Sequence, residues 1–115
     1  MKQFYYNSHN VCENPNTMTY KCLKKYTATI NTAIVDNGQW SYSISFVGLN
    51  QGWSQPLIGH AQYNVFDTEQ EAFDAGLKLL VDQITANNDL KKYDAILEML
   101  RSDLFDKTNL QLSLF

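Results

Sequence analysis

The stretch YTATINTAIVDNGQWSYSISF, residues 26–46, decides the fold. Tyr26, Ala28, Ile30, Thr32 and Ile34 alternate with polar or small residues, and β-branched side chains are frequent. That pattern predicts a half-buried strand over Tyr26–Val35. Asp36-Asn37-Gly38 follows. Asn and Gly tolerate the positive φ angles of tight hairpin turns, so the chain is expected to fold back here. The return strand sets Trp40, Tyr42, Ile44 and Phe46 on one face and Ser41, Ser43 and Ser45 on the other.

Beyond the hairpin, Gly48 to Gly59 (GLNQGWSQPLIG) has the glycines and the proline of a loop, although it contains Trp53. His60–Phe66 alternates again, with Ala61, Tyr63 and Val65 expected inward, and is predicted to be a third strand. Thr68-x-x-Glu71 then has the form of a capping box, in which hydroxyl and carboxylate each satisfy a free donor at a helix start. The helix expected over about 69–86 aligns Phe73, Leu77, Leu80 and Ile84 in one stripe. Asn87-Asn88 is expected to stop it and Asp89 to cap a second helix. Leu90, Tyr93, Leu97, Leu100 and Leu104 form the stripe of that second helix, to be covered by the first helix or by a second copy of the chain. Residues 1–25 read as irregular: Asn7 to Thr19 is dense in Asn, Ser and Thr, and Phe4, Tyr5 and Tyr6 are its anchors to the body.

Strands followed by helices give an α+β fold, an antiparallel sheet of three or more strands with two helices packed on one face. At 115 residues and 13.2 kDa the chain has room for one domain, read as 1–105, followed by a tail over 106–115. A hydrophobic fraction of 44% and a charged fraction of 18% exclude compositional disorder. No apolar run is long enough for a bilayer span, so no membrane is expected. MKQFYYNSHN lacks the apolar core of a secretory signal, and the expected location is cytoplasmic. The net charge of −3 divides into +2 over residues 1–66 and −5 over residues 67–115. Neither value marks a dedicated nucleic-acid binder. Cys12 and Cys22 read as free thiols in a reducing compartment. With His9 and His60 they lack the two close-spaced ligand pairs of a zinc site, so no metal and no cofactor is expected.

Catalysis needs a nucleophile with its base, a paired acid and base, or a metal with an open position. His9 and His60 have no carboxylate at a suggestive spacing, and phosphate loops are absent. The chain therefore reads as non-enzymatic. Trp40 and Tyr42 read as core, while Trp53 stands open between core and surface contact. Trp53 with Lys21, Lys24 and Lys25 is the candidate nucleic-acid contact, combining a stacking ring with phosphate-facing charge.

Two resemblances bear on function. The strand–strand–strand–helix order, with Thr68, Glu71 and Ala72 at the helix start, resembles double-stranded-RNA-binding and HicB-type antitoxin domains. Asp67, Glu69 and Glu71 stand where the RNA-binding domains are basic, so this resemblance implies topology alone. The chain ends Gln111-Leu112-Ser113-Leu114-Phe115, which resembles the bacterial sliding-clamp-binding motif QL[S/D]LF at all five positions. The resemblance implies that Gln111 is a polar anchor, Leu112 a shallow plug, Ser113 a spacer, and Leu114 with Phe115 the main hydrophobic pair. The implied partner is the sliding clamp of the bacterial DNA polymerase, and the implied role is that of a small accessory protein. Such proteins suit phages and other mobile elements, which gain from access to host replication. Asp106 to Asn109 would be a polar spacer between body and peptide. Two alternatives stand beside it: a nucleic-acid-binding domain, and an antitoxin-like homo-oligomer joined through its second helix. In both, the last residues are structural, for Leu110, Leu112 and Leu114 also alternate as in a strand.

Overall fold

The computed structural model describes residues 2–23, 25–48, 52–59, 65–88 and 91–113, with 105–113 described by backbone alone. The elements in chain order are β1 (Asn16–Cys22), β2 (Tyr26–Ile34), β3 (Trp40–Val47), β4 (Gly52–Ser54), α1 (Glu69–Ala86) and α2 (Asp94–Ser113). The strands form one antiparallel sheet in the order β1-β2-β3-β4. Both helices follow the sheet, as the α+β reading expects. α1 lies over β2 and β3, and α2 lies against α1 and β1.

The hairpin falls where the sequence places it, at Asp36-Asn37-Gly38. β2 and β3 pair with Ile30 opposite Ile44 and Ala28 opposite Phe46. Val35 N donates to Gln39 O at 2.8 Å and Gly38 N to Val35 O at 3.0 Å, so Asp36, Asn37 and Gly38 make the loop. Of these only Gly38 has a positive φ, +83°, the arrangement of a turn closed by a glycine bulge. Asn37 contributes through its side chain, its Oδ1 accepting from Gln39 N at 2.9 Å.

β2 and β3 carry Ile30, Ile44 and Phe46 under the helices, each at most 1% exposed. Their cover is Phe73, Leu77, Leu80 and Ile84 from α1, the predicted stripe, with Ile96, Leu97 and Leu100 from α2. Each fully buried aliphatic or aromatic side chain is worth about 1.5–3 kcal/mol of transfer free energy. α1 starts on Thr68, whose Oγ1 accepts from Glu71 N at 3.2 Å. The reciprocal contact of the capping box runs from the Thr68 hydroxyl to Glu71 Oε1 at 3.0 Å rather than from the backbone. Gly76 lets α1 approach the sheet closely, because a Cβ there would lie 3.0 Å from Ile30 Cγ2 and 3.1 Å from Tyr42 Cδ2.

Four expectations differ from what is observed. The Asn- and Thr-rich run ending at Cys22 contains β1, although it has the composition of a loop. As an edge strand it buries little, and Thr17, Met18, Thr19 and Lys21 are exposed. The Gly-rich loop contains β4, in which Trp53 pairs with Phe46. α2 begins at Asp94 rather than after Asp89: the Asn88 side chain accepts from Tyr93 N at 2.9 Å and donates to Asp94 Oδ1 at 2.6 Å. α2 also continues to Ser113, past the end near 105, since no glycine or proline interrupts residues 101–113. The backbone of 106–113 is thus helical rather than an extended spacer or a fourth strand. Residues 60–64 of the predicted third strand, Asp89 and Leu90 lie outside the described residues. Phe66 bridges Trp40, with Trp40 N to Phe66 O and Phe66 N to Trp40 O both 2.8 Å.

The serine face of β3 is also partly closed. Ser41 is 8% exposed and Ser43 1%. At this end of the sheet Cys12, Ala33, Val35 and Leu57 form a second buried cluster, joined by Phe4, Tyr6 and Val65. Cys12 N donates to Leu57 O at 2.9 Å, which ties the N-terminal segment to the loop after β4.

Replacing Gly76 with valine is expected to force this helix–sheet contact apart. A loss of about 1–3 kcal/mol, the usual cost of overpacking, should appear in urea denaturation of Gly76→Val against the parent chain.

Candidate functional site

The sequence-derived candidates occupy different places. Lys21 lies on β1, in one row with Thr27 and Val47. Trp53 lies on β4, in one row with Phe46 and Ala28. Neighbouring residues along a strand point to opposite faces, so Lys21 and Trp53 are on opposite faces as well as opposite edges of the sheet. The Trp53 ring is half-buried beneath the helices, its centroid 6.0 Å from that of Phe46. Lys21 and Lys25 are exposed, and Lys24 lies outside the described residues. Lys21 and Trp53 therefore do not meet on a common surface. Trp40 is half-buried and edge-on to Phe4 at 5.7 Å.

Gln111, Leu112 and Ser113 lie in the last turn of α2, while Leu114 and Phe115 lie outside the described residues. Among the α2 residues whose side chains are described, those buried in the core, Ile96, Leu97 and Leu100, precede this segment. Of the stripe proposed as a dimer seam, Tyr93, Leu97 and Leu100 are at most 1% exposed within the single chain, Leu104 is half-buried, and Leu90 lies outside the described residues.

A cleft that sequence reasoning missed opens between β1 and the first turn of α1. Met18, Ile30 and Phe73 line its apolar side, and Asn16, Thr32 and Glu69 its polar end. Glu69 Oε2 accepts from Asn16 Nδ2 at 2.5 Å and from Thr32 Oγ1 at 3.0 Å. Asn16 Oδ1 in turn accepts from Lys2 Nζ at 3.0 Å. One sequence signal existed: Thr32 is a polar residue at an inward position of β2, and a buried hydroxyl requires a partner. That partner is 37 residues further on, where no local pattern points to it.

Among the described residues no group of three or more His, Cys, Asp and Glu is placed to hold a metal ion. Cys12 is a buried free thiol and Cys22 a half-buried one. Among the same residues no helix is long and apolar enough to cross a membrane. Comparison of the chain with protein-family models, with curated proteins and with solved structures gives no match.

Among the described residues, three tyrosines have phenol pKa values moved upward. Burial, with the nearby Cys12, pushes Tyr6 up to about 12 while its hydroxyl donates to the Ile34 carbonyl. Burial and the Asp103 carboxylate, which accepts the Tyr20 hydroxyl, raise Tyr20, and burial raises Tyr42. A phenol that holds its proton more tightly when folded stabilises the fold fully below the unfolded value of about 10. Above it the unfolded chain releases its protons first, and that stability is lost as the pH climbs. For Tyr6 the loss runs from about pH 10 to about 12. Denaturation midpoints should therefore decline across this window, and Tyr6→Phe should make the decline shallower.

Proposed function

We propose that this chain is a small cytoplasmic accessory protein without catalytic activity, recruited to the bacterial replication clamp by Gln111-Leu112-Ser113-Leu114-Phe115. The carrying observation is agreement with the clamp-binding pattern at all five positions. With average residue usage, a chance match at any one place is on the order of two per million.

Two features support the reading. Asp106, Thr108 and Asn109 are poor helix formers, and the last turn of α2 has no basic residue to offset the negative end of the helix dipole. The end of α2 is therefore cheap to unwind into the extended form that a groove accepts. The described core residues of α2 also lie upstream of the motif. An extended peptide then adds main-chain hydrogen bonds while alternate side chains fill pockets. Burial of Leu112, Leu114 and Phe115 contributes roughly 5–8 kcal/mol gross, before the cost of ordering. The result is a micromolar-scale, exchangeable tether.

Calorimetric titration of the chain into a purified bacterial clamp tests this. The parent is expected to bind at micromolar scale and Leu114→Ala/Phe115→Ala to show no heat of binding. Equal binding by the double variant, or none by the parent, would refute the proposal.

A further inference from the structure

The cleft between β1 and α1 has no part in clamp recruitment, yet its construction is that of a ligand site. Its volume is about 230 Å³. That is room for about seven waters, and somewhat less than a drug-sized ligand requires. Met18, Ile30 and Phe73 form the apolar side, with Met18 47% exposed at the rim and Ile30 at 1% forming the buried wall. Glu69 stands at the other end. Its Oε2 takes both the Asn16 and the Thr32 hydrogen bonds, which occupy the two lone pairs of that oxygen. Its Oε1 takes neither a hydrogen bond nor an ion pair from any described residue.

The bonds to Oε2 tie the start of α1 to the sheet. The second carboxylate oxygen, Oε1, which carries an equal share of the charge, is not used in the tie. Thr32, 4% exposed on an inner strand, and Asn16, held from its far side by Lys2, fix the carboxylate in one orientation. Lys2 donates to Asn16 rather than to Glu69. The cleft thus offers a fixed anionic acceptor beside an apolar slot of fragment size.

We infer that this cleft binds a small molecule carrying a protonated amine on an apolar body. The ammonium donates to Glu69 Oε1 and the body packs on Met18, Ile30 and Phe73. A neutral analogue keeps the packing and loses the charge-assisted hydrogen bond, while an anionic one meets a like charge.

Nuclear magnetic resonance titration of the full chain with benzylamine, benzyl alcohol and benzoate is the test. Saturating shifts are expected for benzylamine at the Met18 methyl and at the Gln70 and Phe73 amides. Benzyl alcohol should bind at least tenfold more weakly, and benzoate should not saturate. Glu69→Gln should remain folded and lose at least tenfold in benzylamine affinity. Met18→Lys, at the exposed rim, should lose as much without touching the core, and it decides the matter if Glu69→Gln does not fold. Absence of saturation with benzylamine, equal affinity for benzoate, or unchanged affinity in the folded variants would overturn the site. Neither variant alters residues 111–115, so the outcome is independent of clamp binding.

Discussion

Closure of the structure depends on how the Tyr93 ring is seated. It is fully buried at the entry to α2, edge-on to Phe46 at 5.1 Å and to Tyr26 at 5.4 Å. Edge-to-face pairs of this kind add to the area they bury, and each constrains ring orientation. Tyr93 therefore holds the start of α2 over one end of β2 and β3. The register that brings Ile96, Leu97 and Leu100 onto α1 follows from that placement. Asn88 accepting from Tyr93 N and donating to Asp94 fixes the same point from the backbone side.

The outer strand β1 is held by different means. It buries little apolar surface, so its attachment to the helices relies on polar contacts at its two ends. Asn16 joins Glu69 of α1 at one end, and Tyr20 donates to Asp103 of α2 at the other. Between them the strand leaves the cleft open, because α1 lies over β2 and β3 and α2 meets β1 further along. The cleft thus results from two helices that cover three strands unequally.

The parts of this structure legible in the sequence are those whose pattern is local and whose burial is one-sided. The β2–β3 hairpin follows from alternation on both sides of Asp36-Asn37-Gly38, and α1 from Thr68, Glu71 and a stripe of regular spacing. β1 was illegible because an exposed edge strand carries the Asn, Thr and Lys of a loop. β4 was too short, at three residues, to show alternation. The burial of Ser41 and Ser43 reflects a second face that is itself partly covered, with Cys12, Ala33, Val35 and Leu57 clustered there, which strand alternation does not encode. Glu69 looked like an ordinary first-turn acid. Its meeting with Asn16 spans 53 residues and exists only once the sheet has a roof.

The sheet is a plain meander, each strand beside its neighbour in sequence, with every helix downstream of every strand. A ribosome therefore releases all four strands before any of the roof. Adjacent hairpins can zip early, since contacts close in sequence cost little loop entropy. Ile30, Ile44 and Phe46 then face water until α1 arrives, and Leu100 completes the cover only after most of the polypeptide has emerged. Newborn molecules pass through a stage with a bare greasy plate and two unpaired rims, the state in which chaperones and aggregation compete for them.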